Sequence, residues 1–151
     1  SEMTMLAVDE IRRFGIIPKV ALLSHSNFGS HNDESAYKMR AAVLDLKQRA
    51  PDLEIDGEMH ADTALSETVR KTLMPSSTLK SDANLLIMPN IESANISFNL
   101  LKVLGEGTPI GPVLLGVSKP SYILTPAVTA RGIMNVTALA CVAAQVEEKS
   151  K

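Results

Sequence analysis

Apolar residues in this chain fall either at helical spacing or in short unbroken runs, and the two patterns alternate. Met3, Ala7, Ile11 and Phe14 recur every three or four residues and Gly15 follows, which predicts an amphipathic helix ended by a glycine cap. Residues 19–23, Lys-Val-Ala-Leu-Leu, form a short apolar run followed by small polar residues, the pattern of a strand buried on both faces. Ala36, Met39, Val43, Leu46 and Ala50 mark one face of a second helix. Asn32 or Asp33 is placed to cap it, and Pro51 lies just past its end.

Residues 53–55 predict a brief strand, which runs into Asp56-Gly57-Glu58-Met59-His60-Ala61-Asp62, a polar turn with a glycine hinge. Ala61, Leu65, Thr68 and Leu73 predict the face of another helix closed by Pro75, and residues 76–82 a polar connector. Residues 84–88 predict a second buried strand stopped by Pro89. The helix after it turns Ile96, Leu100, Val103 and Leu104 inward and ends at Gly105 and Gly107. Residues 110–117 predict a third strand, and Ile133, Val136, Ala140 and Ala144 the apolar face of a last helix before the charged tail 147–151.

Alternating strands and helices imply right-handed crossovers and a mostly parallel sheet with helices on both faces. The expected fold is α/β, a three-layer αβα arrangement formed as a single domain over residues 1–151. Ligands in such folds bind beyond the carboxyl ends of the strands. Residues 24–30, 56–62, 90–95 and 119–129 each follow a predicted strand, so all four are expected along one rim.

Composition narrows the partners. With 151 residues and 45% hydrophobic content, the chain can bury a core without staples. A formal charge of -2 and 3% aromatic residues argue against nucleic acid and against an anionic membrane surface. Cys141 is the only cysteine, which excludes an intrachain disulfide and a thiolate metal cluster, fits a reducing compartment, and reads as a small residue buried on a helix. No apolar run approaches the ~20 residues of a membrane span. Ser1-Glu2-Met3-Thr4 lacks the layout of a signal peptide, so a cytoplasmic location is expected. The chain starts without an initiator methionine, as a trimmed product or a piece of a longer protein would.

The chemistry concentrates in residues 24–30, Ser24-His25-Ser26-Asn27-Phe28-Gly29-Ser30. Three hydroxyls, an amide and a glycine precede a helix N-terminus, where free N–H groups and the helix dipole favour a phosphate or carboxylate. The same residues also suit an ordinary strand-to-helix turn, and they match neither the Walker loop nor the dinucleotide fingerprint. Asp56, Glu58, His60 and Asp62 could suggest a metal. Alternation separates neighbours, however, so Asp56-Gly57 is expected to make a backbone-bonded turn, Asp62 to cap the next helix, and His60 to hold a structural hydrogen bond. No metal site is expected. His25 and His31 flank the loop as phosphate donors when protonated, or as solvated side chains. Lys119, before Pro120, offers the rim either a cation for a phosphate or a solvated charge. Thr129 is placed to cap the last helix with Arg131 in its first turn, and no Ser-His-Asp arrangement can be assembled.

Taken in order, these stretches resemble the phosphate acetyl/butyryltransferase family. The likeness is carried by Lys19-Val-Ala-Leu-Leu-Ser-His-Ser-Asn-Phe-Gly-Ser30, by Asp56-Gly-Glu-Met-His-Ala-Asp62, by Asn84-Leu-Leu-Ile-Met-Pro-Asn90 with Asn95, and by Gly111-Pro-Val-Leu-Leu-Gly116 with Lys119-Pro120. More closely, Asp56-Gly57-Glu58-Met59-His60 and Leu124-Thr125-Pro126 are similar to the phosphotransacetylase-type tail of hybrid NADP-dependent malic enzymes; plain transacetylases usually carry Gln at the position of His60.

The resemblance implies an isocitrate/isopropylmalate dehydrogenase-like fold in which two domains hold coenzyme A and an acyl phosphate in a cleft. It implies that this chain is the second half of that region. The upstream half and a malic enzyme catalytic domain, with NADP and a divalent metal, would precede it, and a homo-oligomer is expected. Ser24, Ser26, Gly29, Ser30, Asn90, Asn95, Lys119 and Thr125 are the rim residues expected to meet acetyl-CoA or coenzyme A. Where a competent transacetylase carries a serine and an arginine, followed by an aspartate as base, this chain aligns Thr125, Pro126 and Gly132. Thr125 keeps a hydroxyl, whereas Pro126 has neither charge nor N–H and Gly132 takes no proton. The implied role is therefore an acyl-CoA-binding regulatory domain of a malic enzyme that decarboxylates malate to pyruvate. The alternative is an active phosphate acetyltransferase.

Overall fold

The computed structural model describes residues 1–105, 108–126 and 128–149. Gly107 as a helix end, Ala127, and the end of the charged tail lie outside the described residues. The chain divides into two compact units, Ser1–Ser97 and Phe98–Lys151.

The first unit is built on a parallel sheet of order β2-β1-β3, formed by β1 (Lys19–Leu23), β2 (Glu54–Met59) and β3 (Leu85–Ile87). Pleating sends alternate residues of the central strand to opposite faces, and both faces are covered. Val20 and Leu22 pack with Val8 of α1 (Glu2–Arg13), with Met39, Val43 and Leu46 of α2 (Glu34–Arg49), and with Ile55 and Ile87. Ala21 and Leu23 pack on the other side with Met59, Leu79, Ala83 and Ala64 of α3 (Ala61–Leu65). Helices on both faces of a parallel sheet make the expected three-layer α/β fold. Each large apolar side chain so buried contributes about 1.5–3 kcal/mol.

Strand β1 and helix α2 match the sequence reading. Ala36, Met39, Val43 and Leu46 are the buried positions of α2, and Asp33 caps it by accepting from the Ala36 N–H at 3.0 Å. Gly15 follows α1 at φ 72, the left-handed position that glycine occupies without steric cost. The buried stripe of α1 is Thr4 and Val8, however, while Met3 is exposed, so the true face is rotated by one residue from the predicted one.

Three other elements depart further from expectation. Strand β2 continues through residues 56–59, where the composition predicts a turn; Asp56 and Glu58 lie buried inside it. The single helix predicted after residue 60 is two, α3 and α4 (Glu67–Leu73), because Ser66 adopts an extended conformation and caps the second by accepting from Val69 N–H. The buried residues of this pair are Thr63, Ala64 and Arg70, and Leu65 and Leu73 are exposed. Arg70 is satisfied without a carboxylate, donating to the carbonyls of Thr63, Ala64 and Ser81. Helix α5 (Ile91–Leu104) forms as expected, but Ile96, Leu100, Val103 and Leu104 are 63%, 55%, 74% and 79% exposed. An apolar stripe records that a face is sticky and leaves open what covers it.

In the second unit, the strand predicted over residues 110–117 is reduced to β4 (Val113–Leu114), paired antiparallel with β5 (Ser121–Tyr122). Pro112 has no N–H to donate, and Gly116 turns the chain at φ 80. Helix α6 (Ala130–Lys149) buries Val136 and Ala143, while Ile133 and Ala144 of the predicted face are exposed. Thr129 caps it, its Oγ1 accepting from Gly132 N–H at 3.1 Å. Cys141 is exposed on this helix, against the expectation of a buried residue. No described helix is long and apolar enough to cross a membrane.

Candidate functional site

The loop after β1 carries a dense set of polar contacts. Its backbone is tied to β2 at both ends: Ser24 N–H donates to the Met59 carbonyl at 2.9 Å and Phe28 N–H to the Glu58 carbonyl at 2.7 Å. Asn27 Oδ1 accepts from His60 N–H at 2.7 Å. At the last of these anchors and just after it the chain passes through left-handed positions, Phe28 (φ 47) and Gly29 (φ 90). A non-glycine residue there is costly, and Phe28 is held by packing against Leu23 and its neighbours.

The cause of this shape lies underneath the loop. Leu22 pairs with Gly57 and Leu23 with Met59, so Glu58 is the extra residue of a β-bulge. The bulge presents the Glu58 side chain to the loop and to α2. Ser26 Oγ donates to Oε1 at 2.7 Å, Gly29 N–H to the same oxygen at 2.8 Å, and Arg40 spans both oxygens from Nε (3.0 Å) and Nη2 (2.9 Å). Ser26 is 0% exposed and Glu58 1%. Burial alone would raise the carboxyl pKa, but the bonds from Arg40, Ser26 and Gly29 outweigh it and hold the group at about 2. Two of the donors expected to face an external anion, the Ser26 hydroxyl and the Gly29 N–H, are thus spent on an internal one.

The outer residues of the loop are differently engaged. Ser24 is half-buried and its Oγ accepts from Ser26 N–H at 3.1 Å. Ser30 is exposed; its Oγ accepts from Asn27 N–H at 2.9 Å and lies 3.1 Å from His31 Nδ1. Ser26 Oγ also accepts from His31 N–H at 3.1 Å. His25 Nε2 sits 2.6 Å from Asp33 Oδ2, and its ring lies 5.2 Å from that of His31. Asp33 is held below the usual carboxylate range by the Ala36 N–H, with His25 adding to the effect against partial burial. His60 makes the structural bond expected of it, Nε2 to the His25 carbonyl at 2.8 Å.

Asn90 and Asn95 lie in the same unit. Asn90 follows the carboxyl end of β3, beside that of β1, and caps α5 with Oδ1 accepting from Ser93 N–H at 2.8 Å. Asn95 is exposed in the first turns of α5. Lys119 and Thr125 belong to the second unit. Both are exposed, the Lys119 carbonyl accepts from Ser121 Oγ at 3.1 Å, and the Thr125 carbonyl accepts from Val128 N–H at 3.0 Å.

The second acidic segment resolves into separate roles. Asp56 is bound by Lys47 Nζ (2.9 Å), Ser77 Oγ (2.7 Å) and Thr78 N–H (2.8 Å), and these bonds lower its pKa against burial. It also accepts from Gly57 N–H at 3.0 Å, the local bond expected, although within a strand. Asp62 does not cap α3. His60 holds that position, and Asp62 bonds the N–H of Thr63 from inside the first turn. Among the described residues, no group of three or more His, Cys, Asp or Glu side chains is placed to hold a metal ion.

Sequence reasoning did not single out Arg40 and Glu58 as the loop's framework. They stand 18 residues apart, and a bulge leaves no periodic trace, so the one available signal was a carboxylate lying between Ile55 and Met59 in a run otherwise able to form a strand.

Comparison with known proteins agrees with this fold. A family model described as Phosphate acetyl/butaryl transferase matches residues 1–141. The chain is 58% identical over 146 residues to an NADP-dependent malic enzyme of Salmonella typhimurium, covering 96% of this chain and 19% of that protein. It is 37% identical over 138 residues to a phosphate acetyltransferase of Paracoccus denitrificans, covering 91% of this chain and 43% of that one. Among solved structures, a phosphotransacetylase from Streptococcus pyogenes superposes with a TM-score of 0.88 at 31% identity, covering 97% of this chain and 44% of that one. The chain therefore spans about a fifth of the malic enzyme it matches and less than half of each transacetylase.

Proposed function

This chain belongs to the phosphate acetyl/butaryl transferase family, and on that premise we propose that it is an acyl-CoA-binding regulatory part of a malic enzyme. The observation that carries the reading is a family frame retained throughout, with Pro126 and Gly132 standing where the resemblance places an arginine and an aspartate. The greater likeness to the Salmonella malic enzyme than to the Paracoccus transacetylase supports the same side.

Acyl transfer from an acyl phosphate to a thiol needs stabilisation of an oxyanion and a base for the thiol proton. Pro126 offers neither a charge nor an N–H, and losing one oxyanion donor costs about 10²- to 10³-fold in rate. Gly132 is also hemmed in: a Cβ there would lie 2.8 Å from Val128 Cγ2 and 3.4 Å from Thr129 Oγ1, so the local packing suits a glycine and not an acid. Ground-state contacts to an acyl-CoA survive such losses, because they differ from contacts made in the transition state alone. Ser24, Ser30, Asn90, Asn95, Lys119 and Thr125 are the residues proposed to make them, with Ser26 and Gly29 framing the loop.

In this reading the other wall of the ligand cleft is the upstream half of the phosphotransacetylase-type region. Oxidative decarboxylation of malate to pyruvate, with NADP and a divalent metal, belongs to the catalytic part further upstream, and the protein works as a homo-oligomer in the cytoplasm. Acetyl-CoA then acts at a distance by binding one of two conformational states more tightly. The test is to titrate acetyl-CoA into the full-length protein while following malate oxidation and measuring binding by calorimetry. A change in rate with saturable binding is expected, and absence of both would overturn the reading.

The alternative is an active phosphate acetyltransferase, favoured by the hydroxyl kept at Thr125 and by the likeness to the Streptococcus phosphotransacetylase. Assay of the full-length protein with acetyl phosphate and coenzyme A separates the two. Turnover at an ordinary enzymatic rate, median about 10 s⁻¹, would favour the alternative.

A further inference from the structure

We propose that Glu58, braced by Arg40, is a positioning residue: it is a resident anion that fills the inner donors of the loop at residues 24–30 and so aims the loop's outer hydroxyls at the ligand. The inference rests on the acyl-CoA reading for the ligand's identity, while its structural half stands on the contacts alone.

A loop of this composition has more donors than a single ligand oxygen can use. Left to solvent, Ser26 Oγ, Gly29 N–H and the Arg40 guanidinium would form a seat for a carboxylate or phosphate. Glu58 occupies that seat from within, and Arg40 Nη2 extends the tie to the far end of the loop by donating to the His31 carbonyl at 3.0 Å. The inner face of the loop is therefore closed. Ser26, 0% exposed, faces the carboxylate and not the rim.

The outer hydroxyls behave differently. Ser24 Oγ and Ser30 Oγ each accept a backbone N–H of the loop, from Ser26 and Asn27, which fixes their oxygens; the Ser24 hydroxyl proton is left to donate elsewhere, while Ser30 Oγ also lies 3.1 Å from His31 Nδ1. Both depend on the loop's shape, and that shape depends on the bulge, the left-handed Phe28 and Gly29, and the carboxylate beneath them. Removing the charge of Glu58 should thus weaken ligand binding without removing any ligand contact.

The test uses full-length protein in two readouts, amide hydrogen exchange of the segment 24–31 and calorimetric titration with acetyl-CoA, with thermal melting to verify folding. In Glu58→Gln the new amide nitrogen opposes the Arg40 donors. Loop exchange should accelerate, and the acetyl-CoA Kd should rise about tenfold or more. Adding Arg40→Met removes the conflict, because the carbonyl oxygen of the introduced amide can still accept from Ser26 and Gly29, but it also removes the tie to the His31 carbonyl, so the double variant should regain part of the affinity and loop protection that Glu58→Gln loses. A general packing role predicts instead that the double variant is worse than either single one. Folded Glu58→Gln protein with unchanged loop exchange and unchanged Kd would overturn the proposal.

If Glu58→Gln does not fold, Ser26→Ala removes one inner donor and makes the same demand: faster loop exchange and a weaker Kd, with no change in either overturning it. Should the unsubstituted protein bind no acetyl-CoA, the acyl-CoA reading fails, and the exchange arm alone decides whether Glu58 sets the loop.

Discussion

Arg40 grips Glu58 side-on, Nε at 3.0 Å from Oε2 and Nη2 at 2.9 Å from Oε1, with the Arg40 side chain 27% exposed and that of Glu58 1% exposed. The asymmetry decides what each partner can lose. Glu58 raises the guanidinium pKa, but Arg40 retains contact with water. A carboxylate this buried does not, so deleting Arg40 strands a charge held by the Ser26 hydroxyl and the Gly29 N–H alone.

Arg40→Met is therefore expected to destabilise the chain by about 2–4 kcal/mol, toward the lower part of what breaking a buried pair costs, because two of the carboxylate's bonds remain. Denaturant unfolding checks this. A loss below about 1 kcal/mol, the range of surface ion pairs, would mean that the pair contributes no more than an exposed one.

Acid should find the same carboxylate. Glu58 titrates at about 2 in the folded chain against an ordinary 4.5, and Asp56 is lowered as well. A depressed folded pKa stabilises fully above the unfolded value and loses that stabilisation as pH falls through the folded one. For Glu58 the window runs from pH 4.5 down to about 2, and the linkage amounts to about 3 kcal/mol. Urea midpoints measured from pH 6 to pH 3 should fall steeply in the unsubstituted chain and less steeply in Glu58→Gln. Parallel curves would remove Glu58 from the acid response.

Gly57 tests the bulge from the other side. A Cβ at this position, at φ 140, would lie 2.6 Å from the Leu22 carbonyl oxygen and 3.2 Å from Leu22 Cβ. The nearer obstacle is the backbone of the central strand, which cannot step aside as a flexible side chain can. Gly57→Ala should cost about 3 kcal/mol or more and disturb the loop as well, since Glu58 follows directly. Melting temperature and exchange of the segment 24–31 should change together. A folded variant of unaltered stability would contradict the close approach of β2 to β1.

These residues also mark how far the sequence could be read. Residues 19–23 and the α2 face were legible because every position obeys one periodicity and one environment. The continuation of β2 was not, because Asp56 and Glu58 break the apolar pattern and find their partners in Lys47, Ser77 and Arg40, which no local rule connects to them. The loop's composition suggested donors for an external anion, and two of them, the Ser26 hydroxyl and the Gly29 N–H, bind Glu58 instead. It could not announce that the anion already present belongs to the chain itself. Ile96, Leu100, Val103 and Leu104 failed for another reason: periodicity fixed the apolar face of α5 but carries no information about its cover.

The substitutions at 126 and 132 make the sharpest functional prediction. If Pro126 and Gly132 are what separate this chain from transacetylase chemistry, restoring an arginine and an aspartate should raise turnover of acetyl phosphate and coenzyme A by the full-length protein. Packing sets a condition on that gain. The aspartate Cβ would meet Val128 Cγ2 at 2.8 Å, and a valine branched at Cβ has little freedom to retreat. Pro126→Arg with Gly132→Asp should therefore remain nearly inactive, and adding Val128→Ala should yield more activity than the double variant, by about tenfold if a displacement of about 1 Å is relieved. Equal activity in the double and triple variants would show that Val128 does not guard the position. No activity in either, with acetyl-CoA still bound, would place the loss of chemistry beyond these two residues and leave the ligand-binding reading untouched.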